Sequence, residues 1–424
     1  MAQEAEVART SRQPARFADR EQALAAVRDF DLRRLPASTY ANPYPLYHAL
    51  REAGPVHRLP DGGYFLSSYA ACVAVYKDAK TFSSDKKREF APKYGSGLLF
   101  EHHTTSLVFN DPPLHTRVRK IIAGAFTPRS ISDMEQPVTE LVDGLLDAIE
   151  AKGSADLVAD LAAAVPVEVI GNLLAVPREE RGPLREWSLA ILGALEPVLT
   201  PEQQAHGEQA VKDFLAYLET LVARRRGKPG DPDRDVLTRL IQGEKDGERL
   251  SERELLHNII FILNAGHETT TNLVGNGLNV LLEWPEEKAR LIAHPQLIRA
   301  AVEEFLRFES PNQLGNRLTT APANVQGVPI PAGTYLTIGI GAANRDPAEF
   351  PEPDRLDIGR EPNRHLAFGS GPHVCIGLNV ARLEGRIAIG RFLARFPRYR
   401  LTGTPVRGGR ARFRGFLSIP VSLG

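Results

Sequence analysis

The segment FGSGPHVCIG, residues 368–377, holds Cys375, one of the two cysteines of the chain; the other is Cys72. A free cysteine is usually a small buried hydrophobe, and Cys72, inside the apolar run ACVAV (71–75), reads as one. Cys375 reads differently. Gly369, Gly371 and Gly377 shape its loop and His373 stands two residues before it. What a thiol does in a loop so tightly shaped by glycine depends on the rest of the chain.

The rest of the composition narrows the function. The chain has 424 residues, with 52 basic and 52 acidic side chains, giving a formal net charge of zero. Nucleic acid is not expected as a main partner, since phosphate binding needs a basic surplus. Two cysteines cannot form a disulfide framework, and a reducing compartment follows as the expectation. The first twenty residues mix Arg9, Arg12 and Arg16 with Glu4 and Glu6, without the apolar core of a secretory signal. No apolar run is long enough for a membrane anchor. We therefore expect a cytoplasmic protein with a flexible N-terminus over 1–20 and a single domain over 21–424.

Helical periodicity dominates from about 20 to 310. VTELVDGLLDAIEA (138–151) and VKDFLAYLETLVARRR (211–226) repeat apolar residues every three or four positions. From 317 to 345 the texture changes to strands. In NVQGVPIPAGTYLTIGI (324–340), Pro331–Ala332–Gly333 reads as a turn and Leu336, Ile338 and Ile340 as one strand face. Helix returns over about 376–395, and short strands follow. The expected fold class is mainly α with minor β.

One predicted helix carries polar residues where packing alone would not place them. SERELLHNIIFILNAGHETTTNLVGNGLNVLLEW (251–284) has no internal proline, and Ser251 with Glu254 forms a capping-box signature. Apolar residues on most sides imply burial. Its centre nevertheless holds Asn264, Gly266, His267, Glu268, Thr269, Thr270 and Thr271. Glycine within a helix costs about 1 kcal/mol against alanine, and a buried carboxylate needs a partner. A site with a widened helix groove, an acid and an alcohol accounts for the set. His267 and Glu268 do not begin a zinc-peptidase motif, because position 271 is threonine.

Three further stretches complete a constellation. EEFLRF (303–308) sets Glu304 and Arg307 three apart on one helix face; DPPLHTRVRKIIAGAFTPR (111–129) sets His115 and Arg119 four apart; PEPDRLDIGR (351–360) contains Arg355. In this order the motifs resemble the cytochrome P450 family, the haem-thiolate monooxygenases, over nearly the whole chain. The cysteine loop matches F-x-x-G-x-[HR]-x-C-x-G, AGHET (265–269) matches A-G-x-[DE]-T, and Glu304 with Arg307 matches E-x-x-R.

The resemblance implies a single triangular domain in which a long central helix crosses a haem b group, and it assigns roles. Cys375 is the proximal iron ligand. Phe368, Gly369, His373, Gly377, Ala265 and Gly266 contact the cofactor, Gly266 by leaving room for dioxygen. His115, Arg119, Arg317 and His373 meet the propionates, and guanidinium forks suit carboxylates. Glu268 and Thr269 handle protons during catalysis. Glu304, Arg307 and Arg355 form a structural triad. Leu99, Phe100, Phe261, Asn264 and Leu314 face a substrate of small to medium size. For Asn264 two alternatives stay open: a hydrogen bond to substrate, or one within the protein.

Electrons are expected from NAD(P)H through a separate ferredoxin and ferredoxin reductase, docking on a proximal patch of Arg117, Lys120, Arg382 and Arg386. The protein is expected to be a monomer. Two rival classes are a haem-thiolate peroxygenase and a non-catalytic haem-thiolate sensor. The Glu268–Thr269 pair argues against the first, and the second has no need of Thr269.

Overall fold

Helix caps and apolar spacing set the frame around the interior. The computed structural model describes residues 12–124, 126–232, 235–245 and 248–424. In chain order, the helices used below are α1 (Leu98–Thr105), α2 (Leu114–Ala123), α3 (Ala164–Leu173), α4 (Leu184–Gly193), α5 (Pro201–Gly227), α6 (Glu252–Glu283), α7 (Ile298–Phe308) and α8 (Leu378–Arg395). Five short strands, β1 (Val56–Arg58), β2 (Tyr64–Leu66), β3 (Phe82–Ser83), β4 (Leu314–Thr319) and β5 (Tyr335–Gly339), form one sheet in the order β1-β2-β5-β4-β3. The fold is mainly α with small sheets at its margin.

Helix α6 begins as its sequence indicates. The Ser251 side chain accepts from Glu254 N at 3.2 Å, and the Glu254 carboxylate accepts from Ser251 N at 2.9 Å. The reciprocal pair satisfies two orphan donors of the first turn. The helix runs about 48 Å at 1.5 Å per residue, and Pro285 follows its end.

Two hydrophobic cores meet along α6. Leu255, Leu256, Ile259, Ile260, Ile262 and Leu263 pack with Leu99, Phe214 and Leu221. Leu273, Val274, Leu278, Val280 and Leu281 pack with Val142, Leu146, Phe305 and Phe392. The polar stretch 264–272 is the seam between these cores. Asn264, Ala265, Gly266, Thr269 and Thr270 of this stretch line an interior space.

The strands differ from the sequence expectation at both ends. Pairing begins at Leu314 rather than 317 and ends at Gly339 rather than 345, opposite one another in antiparallel register. Ile340 is the first residue of a helical turn to Ala343, closed by Asn344 N donating to Ile340 O at 2.9 Å, so it leaves the face shared by Leu336 and Ile338. Residues 1–11 of the segment expected to be flexible lie outside the described residues. Beyond them Arg12 stacks over the Trp284 ring at 3.8 Å, and Asn42 donates to Pro14 O at 2.7 Å.

Candidate active site

The Cys375 loop is held from within its own backbone. Cys375 N donates to Phe368 O at 2.9 Å, Val374 N to Gly371 O at 3.0 Å and Gly369 N to Leu366 O at 2.8 Å. Gly369 and Gly371 have φ of 68° and 70°, the left-handed region that glycine enters without steric cost. At Gly371 a Cβ would also stand 2.3 Å from Tyr76 O. The loop thus fixes the thiol at the mouth of α8, whose N-cap is Gly377. Burial pushes the Cys375 thiol upward, opposed by the Gly377 N–H and by Arg119 and Arg382. Cys72, by contrast, is fully buried against Leu66 O and Gly339 O.

A cavity of about 340 Å³ separates this loop from α6. On α6, the residues less than fully buried near its centre are Phe261, Ala265, Gly266 and Thr269, while their neighbours are buried. Steps of four mark one helix face, and all four residues line the cavity with Asn264. Thr269 Oγ1 donates to Ala265 O at 2.7 Å, so its lone pairs remain for a group in the cavity. At Gly266 a Cβ would stand 2.5 Å from the side chain of Ile170 of α3, which lines the same cavity. The glycine permits the approach of two helices.

Glu268 lies behind this face and is absent from the cavity wall. Arg410 Nη1 donates to its Oε1 at 2.5 Å, and Oε2 has no protein partner. Burial raises its pKa, opposed by Arg410. Arg410, partly exposed, connects this acid to the surface.

Every expected cofactor residue lines the same cavity: His115, Arg119, Ala265, Gly266, Arg317, Phe368, Gly369, His373, Cys375 and Gly377. The His115 and His373 rings stand 3.9 Å apart. Neither ring nitrogen of His115, nor Nε2 of His373, has a protein partner. Arg119 donates only to Val374 O and Arg317 only to Asn316 O, at 2.7 and 2.8 Å. Burial and the adjacent cations push His373 down to about 2. Buried cations and orphaned imidazoles around one space call for anions. The two carboxylates of a haem fit them, and the facing thiol fits its iron.

Several expectations need correction. Arg355 is an exposed residue whose nearest carboxylate is Glu352 at 3.5 Å. The third member of the buried cluster is Arg360, five residues on: its Nε meets both oxygens of Glu304 at 3.2 Å, beside the 2.7 Å bonds from Arg307. Leu99 and Phe100 do not line the cavity. The Glu208 carboxylate caps their turn, accepting from Leu98 N and Leu99 N, so α1 presses its first turn on α5 and presents His102 and His103 instead. Phe261 and Leu314 line the cavity as expected. In the proximal patch, Arg117 is bonded to Glu254, Arg382 to Glu303 and Arg386 to Glu135.

Glu384 escaped the sequence reading. It stands on α8 at the cavity wall, buried, with Oε2 unpartnered, and burial raises it to about 8. A glutamate among Leu383, Ile387 and Ala388 was the available signal.

The family model described as Cytochrome P450 matches residues 185–402. A vitamin D(3) 25-hydroxylase of Pseudonocardia autotrophica is 39% identical, covering 91% of this chain and 94% of its own. The chain belongs to the cytochrome P450 family. Within it, the P450 monooxygenase PikC of Streptomyces venezuelae is 38% identical, covering 92% of this chain and 93% of its own. The crystal structure of P450BioI with an acyl carrier protein bearing hexadec-9Z-enoic acid superposes with a TM-score of 0.86 at 34% identity, covering 91% and 99% of the two chains. The protein is a P450 monooxygenase, and its family implies a haem cofactor. Among the described residues no helix is long and apolar enough to cross a membrane.

Proposed function

We propose that this P450 inserts one oxygen atom of O2 into a small-to-medium, largely apolar organic substrate, by hydroxylation, O-dealkylation or epoxidation. Electrons come from NAD(P)H through a separate ferredoxin and its reductase, the cofactor is haem b, and the protein acts as a cytoplasmic single-domain monomer. One observation carries the reading: the Cys375 loop and the Thr269 face of α6 line the same cavity.

Haem held by Cys375 supplies the oxygen activation. His115, Arg119, Arg317 and His373 neutralise and orient its carboxylates. Thr269 accepts a hydrogen bond from the cavity because its own proton is engaged with Ala265 O. Burial raises the pKa of Glu268 against the pull of Arg410, and its contact with Arg410 lies toward solvent. Phe261, Leu314 and the apolar remainder of the wall exclude water and receive a carbon skeleton. A peroxygenase has no need of this acid and alcohol, and a sensor has no need of Thr269.

Cys375→Ser is expected to abolish the red-shifted Soret band of the ferrous carbonyl complex, and Cys72→Ser to retain it. Product formation with NAD(P)H and a surrogate ferredoxin–reductase pair, compared with peroxide alone, separates the monooxygenase from its rivals. Turnover only with peroxide would overturn the proposal.

A further inference from the structure

Helix α6 carries five asparagines, at 258, 264, 272, 276 and 279. Asn258 is satisfied at both ends: Oδ1 accepts from Leu107 N at 2.9 Å and Nδ2 donates to Glu254 O at 2.8 Å. Asn276 and Asn279 each place Nδ2, on Glu309 O and Arg414 O in one case and on Glu283 in the other. Asn272 leaves Nδ2 buried without a partner, and among the described asparagines of this helix Asn264 alone leaves both amide atoms so. It is 2% exposed and lines the cavity. Four residues on, Glu268 leaves Oε2 buried and unpartnered. Side chains at i and i+4 are neighbours on a helix surface, so two orphan groups share one ridge between the cavity and Arg410. An unsatisfied buried amide is costly, and a bound water needs two to four polar partners.

We infer that Asn264 and Glu268 together hold one water molecule at the edge of the cavity, with Asn264 acting as a positioning residue for the acid. The inference rests on Glu268 being the proton-handling group. The water accepts from Asn264 Nδ2 and donates to Glu268 Oε2, which fixes the orientation of the carboxyl at the end away from Arg410. The charged groups facing Glu268 are Arg410 and, more distantly, Glu196, with His267 adjacent on the helix. None of these contacts Asn264 through a hydrogen bond, which leaves the water as the coupling between the two side chains.

The test is pH-induced infrared difference spectroscopy on the haem-loaded, substrate-free protein, in which Glu268→Gln identifies the Glu268 carboxyl band by removing it. Asn264→Leu is expected to move that band to higher frequency, to raise the titration midpoint of Glu268, and to slow NAD(P)H consumption with a surrogate ferredoxin about 10-fold, less than the 10²–10⁴-fold of a lost general acid because Glu268 itself remains. Asn264→Ser keeps a hydroxyl and is expected to give a smaller shift in the same direction; it also serves if the leucine variant does not fold. An unmoved band in both variants overturns the inference. So does a band that responds to Asn264 only after testosterone or myristic acid is added, which would assign Asn264 to substrate. Absence of product in the wild type would count against the monooxygenase reaction and leave the infrared result standing.

Discussion

Two of the buried carboxylates of this protein, Glu304 and Glu268, are treated in opposite ways. Glu304 is fully buried and saturated: Arg307 donates twice at 2.7 Å, Arg360 reaches both oxygens, Asp357 N donates at 3.0 Å and Asn363 Nδ2 at 3.1 Å. Glu268 accepts one bond, from Arg410, and leaves its second oxygen open. A saturated charge has one low-energy arrangement and cannot exchange a proton without breaking several bonds, so it fixes α7 to the 353–363 segment. An undersatisfied acid is the costlier element for folding and the useful one for chemistry.

The comparison breaks most sharply under charge removal. Glu304→Gln leaves Arg307 and Arg360 buried without an anion, and a loss of about 3–5 kcal/mol is expected in equilibrium denaturation of the haem-loaded protein. Glu268→Gln should leave the midpoint nearly unmoved while NAD(P)H consumption slows. Equal destabilisation by the two substitutions would erase the distinction.

At the open site, Thr269→Ala tests whether chemistry depends on a side chain the fold does not need. Haem content and reduction are expected to persist. Product should fall by about 10²–10⁴-fold, the range of general acid–base effects, with hydrogen peroxide appearing in its place. Full coupling in this variant would move the alcohol's role to another group.

Within the saturated cluster, the two arginines of the 351–360 segment should separate clearly. Arg360→Ala is expected to cost about 1.5–3 kcal/mol, the scale of hydrogen bonds to charged groups. Arg355→Ala should stay within about 0.5 kcal/mol, as for other exposed positions. Reversed magnitudes in chemical denaturation would restore Arg355 to the cluster.

Glu384 is another buried carboxyl, with no cation at hand. Its pKa is raised to about 8 by burial, against about 4.3 unfolded. Between those values the folded state binds more protons than the unfolded one, so stability falls as pH rises through the window. Glu384→Gln should flatten that part of the stability–pH curve. An unchanged slope would mean that the carboxyl finds a partner in the haem-loaded protein.

Much of this was legible in the residues. The cap at Ser251, the length of α6, the glycine-shaped cysteine loop and the pairing of Glu304 with Arg307 all follow from local chemistry, because i, i+3 and i, i+4 spacing and left-handed backbone are properties of neighbours in sequence. The outward position of Glu268 was not legible: its partner Arg410 lies 142 residues away, in a loop whose four arginines, at 407, 410, 412 and 414, look alike in sequence.

Sequence alone thus determined that the chain has a glycine-shaped cysteine loop, a polar stretch in a buried helix and an i, i+3 ion pair, since each is written in spacing. Only the tertiary structure decided which groups stay unsatisfied. Arg360 rather than Arg355 turns inward because the irregular 351–360 segment has no period to orient it, and its contacts with Glu304 choose the residue. Leu99 and Phe100 leave the cavity to His102 and His103 because Glu208 of α5 caps their turn. Asn264 and Asn258 are the same residue on the same helix, and they differ because Leu107 N lies opposite one and the cavity opposite the other. Satisfaction of a buried polar group depends on what the rest of the chain brings against it, and no local pattern encodes that.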